Sequence, residues 1–276
     1  MRLYFQESGP SAAPTIVFLH GGGGAGWMWQ TQVEQLHDFH CLVPDLPEQG
    51  QSDNEKPFTI QGSAEQIAEL IRTCAHGSKA HVVGLSEGAQ ITVALLALAP
   101  ELIDRAIISS ALVRPLPGAS LLSSGLIRLS YRWFVTPFKN SDWWIRLNMK
   151  YSAGVPERYY PQFRQSFRSL TEAGFTHVMM ENQRFRLPQG LKQVQVPSLI
   201  VVGKREYAAM RLSARDLAAA LPAGKAYEVV HMGKMSLAEE HNWNMNAPEL
   251  FTQMVRAWLA EQALPVELRP LKPTAS

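Results

Sequence analysis

Residues 80–90 read AHVVGLSEGAQ, and residues 91–99 continue as the apolar run ITVALLALA. Residues 84–88 fit the pattern Gly-x-Ser-x-Gly between a strand-like run and a helix-like run, which is the context that this pattern requires. Its two glycines allow a turn that is too tight for side chains. Such a turn places the hydroxyl of Ser86 at a helix N-terminus, where free N–H groups favour negative charge. The competing interpretation is a serine in a structural turn, but the strand before it and the helix after it favour a nucleophile.

The rest of the chain alternates short apolar runs with helical patterns. Continuous apolar runs are typical of strands buried on both faces, and their alternation with helices predicts an α/β fold with a mostly parallel sheet. Ser63 and Gln66 are expected to form a capping box, and the Pro-rich residues after Pro265 are expected to be loose. Strands are predicted at 15–19, 40–43, 81–83, 106–109, 199–202 and 226–230, and helices at 64–74, at 90–98 and from about Asn246, with Pro248 in the first turn.

The alternation stops between Leu112 and Gln195, in a segment rich in aromatic residues. A structureless loop of this length would be unusual, so the segment predicts a helical insertion. We therefore expect a core of residues 1–111 and 196–276, with residues 112–195 as a helical cap or lid. Its aromatic side chains are expected to serve mainly as packing surface, and some as lining of a substrate pocket.

Composition excludes several classes of protein. Of the 276 residues, 46% are hydrophobic and 18% are charged, which predicts a globular chain. The net charge of +2, without a basic block, gives no reason to expect a nucleic-acid partner. No apolar run approaches the roughly 20 residues of a membrane span, and the first residues do not resemble a signal peptide, so we expect a cytoplasmic protein. Cys41 and Cys74 lie in apolar runs and are expected to be buried thiols rather than a disulfide.

Four glycines, Gly21 to Gly24, follow the first predicted strand and His20. An acyl-transfer transition state puts charge on a carbonyl oxygen, and backbone N–H groups can approach it where no side chain intervenes. We expect the donors to be the N–H of Gly22, with Gly23 as a further candidate, and the N–H of Glu87. A phosphate cradle is disfavoured because neither Gly-Lys-Ser/Thr nor Gly-x-Gly-x-x-Gly occurs here.

The Glu87 carboxylate follows the nucleophile directly. A charge directed into the site would oppose formation of an oxyanion. The side chain is therefore expected to point away, toward an Arg or Lys of the insertion, or else to bind a cationic group of the substrate.

Together these segments resemble the α/β-hydrolase superfamily. The similar stretches are HGGGG at 20–24, PDLPEQGQSD at 44–53, GLSEGA at 84–89 and HNWNMNAPELF at 241–251. The resemblance implies a central, mostly parallel sheet flanked by helices, a Ser–acid–His triad, and no cofactor or metal. Residues 112–195 stand in the place of the family's cap. The motifs are specific for the fold and say little about the substrate.

The resemblance also suggests the base. His241 precedes Pro248 by 248 − 241 = 7 residues, which is the family's usual spacing. Counted from the last predicted strand, however, Lys234 stands where a histidine is usual, so MSLAEE at 235–240 resembles a short insertion. His231, at the end of that strand, is the alternative base.

The acid of the triad commonly follows the penultimate strand of the family. Glu206 lies three residues after Gly203, in that place. The competing interpretation is an exposed carboxylate paired with Lys204 or Arg205. Asp216, further along the chain, is the weaker candidate for the acid.

These observations predict a serine hydrolase that cleaves a carboxylic ester, or a related thioester or lactone, through a Ser86–His241–Glu206 triad and an acyl-enzyme. The expected partner is a small, largely apolar acyl substrate. One alternative is a ligand-binding protein on the same fold with little or no turnover. The other is an enzyme that uses the triad for a lyase reaction, carbon–carbon hydrolysis or cofactor-free oxidation. The sequence does not indicate an oligomeric state.

Overall fold

The computed structural model describes residues 3–53, 57–116, 118, 123–230 and 233–272. Within them, eight strands form one sheet in the order β1-β3-β2-β4-β5-β6-β7-β8. The strands are β1 (Phe5–Ser8), β2 (Thr15–Leu19), β3 (His40–Pro44), β4 (Ala80–Leu85), β5 (Ile103–Ser109), β6 (Ser198–Gly203), β7 (Gly224–Val229) and β8 (Leu268–Pro270). The α-helices are α1 (Gln30–Gln35), α2 (Ile60–Cys74), α3 (Glu87–Leu98), α4 (Ser124–Phe134), α5 (Asp142–Asn148), α6 (Tyr160–Ser169), α7 (Glu172–Arg184), α8 (Ala208–Ala220), α9 (Leu237–His241), α10 (Trp243–Asn246) and α11 (Pro248–Leu259).

Six strands, from β3 across to β7, run parallel, and one antiparallel strand closes each edge of the sheet. Strands β2, β3 and β6 are buried along their whole length, as expected of strands covered on both faces. All six predicted strands are present. The predicted mostly parallel sheet flanked by helices is therefore confirmed.

Neither edge strand is predicted from the sequence. Strand β1 is largely exposed, and β8 has three residues, the last of which is Pro270. Edge strands pair on one side only and need no apolar run, so their pattern does not separate them from loops. The expectation that the chain after Pro265 is loose is wrong for Leu268–Pro270, which pairs with β7. Residues 273–276 lie outside the described residues.

Helix α2 begins earlier than its apolar periodicity suggests. The Thr59 hydroxyl caps it by accepting a hydrogen bond from the Gly62 N–H at 3.0 Å. Ser63 lies inside the first turn, where its hydroxyl donates to the Thr59 carbonyl at 2.8 Å. The predicted capping box of Ser63 and Gln66 is therefore wrong. Helix α11 begins at Pro248, whose missing N–H costs nothing in a first turn.

Between β5 and β6, the regular elements within the described residues are all helical, with α4 to α7 among them. Helices α4 and α7 pack together, and the ring centres of Tyr131 and Phe175 are 5.7 Å apart. Several hydrogen bonds join this segment to the sheet-bearing part of the chain, and two of them reach the loops after β2 and β3. Trp27 Nε1–H donates to Ser166 Oγ at 3.0 Å, and His177 Nδ1 lies 2.7 Å from Glu48 Oε2.

The expectation of two buried thiols is met in part. Cys41 and Cys74 are free thiols, as expected, but Cys74 at the end of α2 is only half-buried. Among the described residues, no helix has the length and apolar character needed to cross a bilayer.

Helix α3 packs against the sheet at Gly88. The Gly88 N–H donates to the carbonyl of His20 at 3.1 Å. A Cβ atom on Gly88 would lie 2.2 Å from the Leu19 carbonyl oxygen, and one on Gly84 would lie 2.3 Å from the Gly88 carbonyl oxygen. Both obstructing atoms belong to backbone, which cannot move aside as a side chain could. Gly88 is therefore required by the close approach of α3 to β2, and Gly84 by the close approach of α3 to β4.

We expect Gly88→Ala to lower the free energy of unfolding by about 3 kcal/mol or more, because the added methyl group overpacks against backbone. Urea denaturation measures this loss. Gly125→Ala is the matched control, since a Cβ there, in the first turn of α4, would have Ser123 Oγ at 3.8 Å as its nearest neighbour. This control should be neutral or slightly stabilising, because alanine favours helix over glycine. Equal effects at both glycines would contradict the packing argument.

Candidate active site

Ser86 stands on the turn between β4 and α3 with φ +55° and ψ −112°. A positive φ is rare for a residue with a side chain, and it persists only where the surroundings hold it. Here the Ser86 N–H donates to the Ser109 carbonyl at 2.9 Å, and the Ser86 carbonyl accepts from the Gln90 N–H at 3.1 Å. The strained turn is thus fixed from β5 on one side and from α3 on the other.

The glycine loop, residues 21–24, lies beside the serine. A Cβ on Gly21 would be 3.5 Å from Ser86 Cβ. His20 supports the loop: its Nε2 accepts from the Leu46 N–H at 3.0 Å, which leaves Nδ1–H to donate to the Gly21 carbonyl at 2.9 Å. Burial lowers the pKa of His20, which favours this neutral form of the ring.

Two of the three expected oxyanion donors have free N–H groups. Within the described residues, neither the Gly22 N–H nor the Glu87 N–H makes a hydrogen bond. The Gly23 N–H, by contrast, donates to Gln49 Oε1 at 2.7 Å. Gly23 is therefore not an available donor in this structure, because a side chain outside the loop already occupies it.

His241, at the end of α9, contacts Glu206, which follows β6. His241 Nδ1 lies 2.5 Å from Glu206 Oε1. The other carboxylate oxygen accepts from the Ser110 hydroxyl at 2.8 Å and from the Gly203 N–H at 3.0 Å. The side chain of Glu206 is fully buried and that of His241 is 18% exposed. The imidazole is thus oriented by a fixed carboxylate.

The competing interpretations of the acid do not fit the structure. Arg205 pairs with Glu240 instead of Glu206, and Asp216 pairs with Arg114. His231, the alternative base, lies outside the described residues. The apparent insertion, residues 235–240, contains most of α9 (Leu237–His241), which begins with a capping box of Ser236 and Glu239.

The serine and the histidine belong to one edge of the sheet. Ser86, Ser110 and Glu206 follow β4, β5 and β6, which are neighbours in the sheet and lie about 5 Å apart. Trp243, two residues after His241, donates from Nε1 to Ser109 Oγ at 3.0 Å, so one residue of β5 holds both the histidine segment and the Ser86 N–H. The Ser86 hydroxyl makes no hydrogen bond to any described residue, so the structure does not show a serine–histidine bond. Such bonds are often long before substrate binds.

The Glu87 side chain does not reach an Arg or Lys of the insertion, and that expectation is wrong. Glu87 is fully buried, and its Oε1 accepts from Gln49 Nε2–H at 2.7 Å. Its Oε2 has no hydrogen-bond partner among the described residues. Burial raises the pKa of Glu87 to about 8, and the charge of Glu181 contributes to the rise. The acid is therefore largely uncharged at neutral pH and does not oppose an oxyanion.

A cavity of about 280 Å³ adjoins the glycine loop. Gly22 and Gly23 form one wall, and the helical segment between β5 and β6 forms the others. Most of its lining is apolar, although Ser86 itself is not part of the wall. The lining residues from that segment are Asn148, Ser152, Ala153, Phe163, Phe167, Leu170, Phe175, Val178 and Met179.

The sequence did not indicate two residues of this site. Gln49 lies within the quoted stretch 44–53, but nothing there shows that its amide joins Gly23 to Glu87. Ser110 directly follows a predicted strand. Because parallel strands bring their carboxyl ends to one edge, its position after β5 was the available signal.

Comparisons with known proteins identify the family. A model of the alpha/beta hydrolase family matches residues 16–263, so the chain belongs to that family. An AB hydrolase superfamily protein of Gibberella zeae is 26% identical over 271 residues, which cover 95% of this chain and 85% of the relative. A carboxylesterase of Bacillus subtilis is 26% identical over 270 residues, covering 91% of this chain and 82% of the relative.

A solved structure agrees with this assignment at the level of the fold. The enol-lactonase from Burkholderia xenovorans superposes with a TM-score of 0.74 at 23% identity, covering 94% of this chain and 96% of the enol-lactonase chain. At this identity the likeness concerns the fold alone.

We expect Glu87→Gln to stabilise the protein increasingly as the pH rises. The pKa of Glu87 is raised from 4.5 to about 8 in the folded state, so between these values the folded state holds a proton that the unfolded chain has released. Stability is therefore lost as pH rises through this window, and the glutamine variant escapes the loss. Its advantage should be near zero at pH 4.5, reach a few kcal/mol at pH 8 and level off above it.

Urea denaturation across this pH range measures the difference. Glu65→Gln serves as the control because Glu65 is exposed on α2 and should show no trend with pH. An advantage of Glu87→Gln that does not change with pH would contradict a neutral buried acid.

Proposed function

We propose that this member of the alpha/beta hydrolase family is a serine hydrolase that cleaves a carboxylic ester, or a related thioester or lactone. The observation that carries the proposal is the 2.5 Å contact between His241 and the buried carboxylate of Glu206 at the sheet edge where Ser86 stands on its strained turn. A nucleophile, a base and an orienting carboxylate are the three parts that such a reaction needs.

In the proposed mechanism, Ser86 Oγ attacks the carbonyl carbon of the substrate while His241 Nε2 takes the hydroxyl proton. Glu206 holds the imidazole through Nδ1 and stabilises its charged form. The negative charge on the carbonyl oxygen is stabilised by the N–H groups of Gly22 and Glu87. The proton then passes from His241 to the leaving alkoxide, and an acyl-enzyme remains on Ser86. Water, deprotonated by His241, attacks that ester, and the acid is released as Ser86 recovers its proton.

The cavity beside the glycine loop supports an apolar acyl group as the substrate part that binds there. Three phenylalanines, Phe163, Phe167 and Phe175, line it, and apolar walls bind apolar groups by excluding water. We assign residues 112–195 as a cap on a core of residues 1–111 and 196–276. The similarity to a carboxylesterase over 91% of the chain supports ester cleavage.

We expect Ser86→Ala to abolish turnover of short-chain aryl esters and to leave the melting temperature within a few degrees of wild type. His241→Ala should lower kcat by several orders of magnitude, as loss of a triad base does. The kcat of Glu206→Gln should lie between the kcat of the wild-type protein and that of His241→Ala, because glutamine keeps the shape of the side chain but weakens support for the imidazolium. Steady-state kinetics and stoichiometric labelling by a fluorophosphonate probe measure these effects.

Ser130→Ala and His37→Ala are matched controls on α4 and on an exposed loop, and both should retain wild-type kinetics. Turnover by Ser86→Ala at a tenth of the wild-type kcat would refute the nucleophile. Absence of labelling in the wild-type protein would favour the ligand-binding alternative. Products other than an acid and an alcohol, thiol or hydroxy acid would favour the lyase, carbon–carbon cleavage or oxidation alternative.

We expect Phe167→Ala to shift the preference toward longer acyl chains, because it enlarges the apolar cavity. The ratio of kcat/KM for a long-chain ester to that for a short-chain ester should rise about tenfold, the range typical of one or two methylene groups in an apolar pocket. A series of p-nitrophenyl esters of increasing chain length measures the ratio. Phe134→Ala is the control, since Phe134 is 59% exposed on α4, and it should leave the ratio unchanged. An unchanged ratio in Phe167→Ala would show that the acyl group binds elsewhere.

A further inference from the structure

We propose that the side chains of Gln49 and Glu87 act as a pair of positioning residues that hold the glycine loop in the geometry needed for the reaction at Ser86. The inference rests on the proposed function and goes beyond it, because neither side chain belongs to the triad.

The pair forms a continuous chain of hydrogen bonds from the glycine loop to the nucleophile helix. The Gly23 N–H donates to Gln49 Oε1 at 2.7 Å, and Gln49 Nε2–H donates to Glu87 Oε1 at 2.7 Å. Because the Gly23 N–H is a donor and Glu87 Oε1 is an acceptor, these two bonds determine the orientation of the Gln49 amide. Gln49 is 5% exposed and Glu87 is fully buried. Solvent water therefore does not reach these side chains to replace either hydrogen bond.

The loop needs such support because it carries no side chains of its own. The Gly21 carbonyl and the Gly22 N–H belong to one planar peptide group. His20 holds that group through the Gly21 carbonyl at 2.9 Å, and Gln49 holds the next peptide group through the Gly23 N–H. These two restraints lie on either side of the Gly22 N–H and determine its direction.

The same pair links the two proposed oxyanion donors to each other. Glu87 supplies one N–H from its backbone, and its side chain, through Gln49, restrains the loop that supplies the other. Its Oε2 also packs against the loop, since a Cβ on Gly22 would lie 3.0 Å from that oxygen. An oxyanion gains from donors whose positions are set before the reaction, because no energy is then spent on reorganisation.

A neutral Glu87 suits the reaction better than a charged one, because a negative charge beside the oxyanion site would oppose the charge that forms there. Glu181, on α7, is the titratable group of the described residues whose charge acts on Glu87, and it favours the protonated form. The other contacts of Glu87, with Gln49 and the glycine loop, carry no charge. When the pH rises through about 8, the value to which burial raises the pKa of Glu87, a negative charge forms beside the oxyanion site. Turnover should therefore fall as Glu87 ionises.

Four variants test the inference through kcat, KM and the pH profile of ester hydrolysis. Gln49→Ala and Glu87→Ala should each lower kcat about 10- to 100-fold with little change in KM, since the donors act in the transition state. The double variant Gln49→Ala/Glu87→Ala should be no worse than either single variant, because one chain of bonds is broken in all three. Glu87→Gln, which keeps an acceptor for the Gln49 amide, should recover most of the kcat that Glu87→Ala loses at pH 7 and should not show the fall in activity near pH 8.

Gln32→Ala controls for the general cost of removing a buried amide. Gln32 is fully buried in α1, and its Nε2–H donates to the Asn244 carbonyl at 2.8 Å. This variant should lose stability and keep the wild-type kcat and pH profile. A loss of kcat in Gln32→Ala equal to that in Gln49→Ala would assign both losses to destabilisation and would overturn the inference.

The inference and the proposed function fail in different ways. If the wild-type protein hydrolyses esters and Ser86→Ala does not, then wild-type kinetics in Gln49→Ala and Glu87→Ala would overturn the positioning role alone. If the wild-type protein hydrolyses no ester, the positioning role is tested by hydrogen exchange of the Gly23 amide, measured by NMR. This amide should be protected in wild type and in Glu87→Gln, and exchange at least tenfold faster in Gln49→Ala and Glu87→Ala. Equal exchange rates in all four proteins would overturn the inference.

Discussion

The site depends on the close contact between α3 and β2 at Gly88. Because no side chain separates the Gly88 backbone from the Leu19 carbonyl, the helix begins directly at the edge of the sheet. That approach keeps Ser86 at φ +55°, a conformation that costs about 1–3 kcal/mol and that hydrogen bonds from β5 and α3 maintain. The same contact brings the first N–H groups of α3 next to the glycine loop, since the loop continues from the end of β2.

Glu206 and Glu87 are both buried in this region, and their surroundings differ. Glu206 lies within hydrogen-bonding distance of His241, Ser110 and the Gly203 N–H. Glu87 has a single donor, the amide of Gln49, and burial raises its pKa to about 8. At Glu87, burial outweighs this single hydrogen bond, which by itself favours the charged form. One acid can thus orient an imidazole, while the other supports the glycine loop as an uncharged group.

The sheet could be predicted from the sequence because buried parallel strands are continuous apolar runs. Strands β2, β3 and β6 have this pattern in full, whereas β7, which contains Lys225 and Glu228, has it only in part. The Gly-x-Ser-x-Gly turn could be predicted because backbone atoms come so close to its two glycine positions that no side chain fits there. The positions of Glu206 and His241 followed from spacing in a family that the chain resembles. The partner of Glu87 could not be predicted, since Gln49 reaches it only after residues 44–53 fold against the glycine loop. The edge strands were missed because pairing on one side imposes no apolar pattern.

Under the proposed function, helix α7 connects substrate binding to the geometry of the reaction. Val178 and Met179 form part of the wall of the cavity, and a Cβ on Gly22 would lie 3.1 Å from Val178 Cγ1. One turn further along the helix, Glu181 accepts a hydrogen bond from the Ile60 N–H and acts on the protonation of Glu87. A substrate that displaces α7 would therefore disturb the glycine loop and the acid that supports it. Because one helix contributes to both, the proposed mechanism couples the fit of the acyl group in the cavity to the alignment of the oxyanion donors.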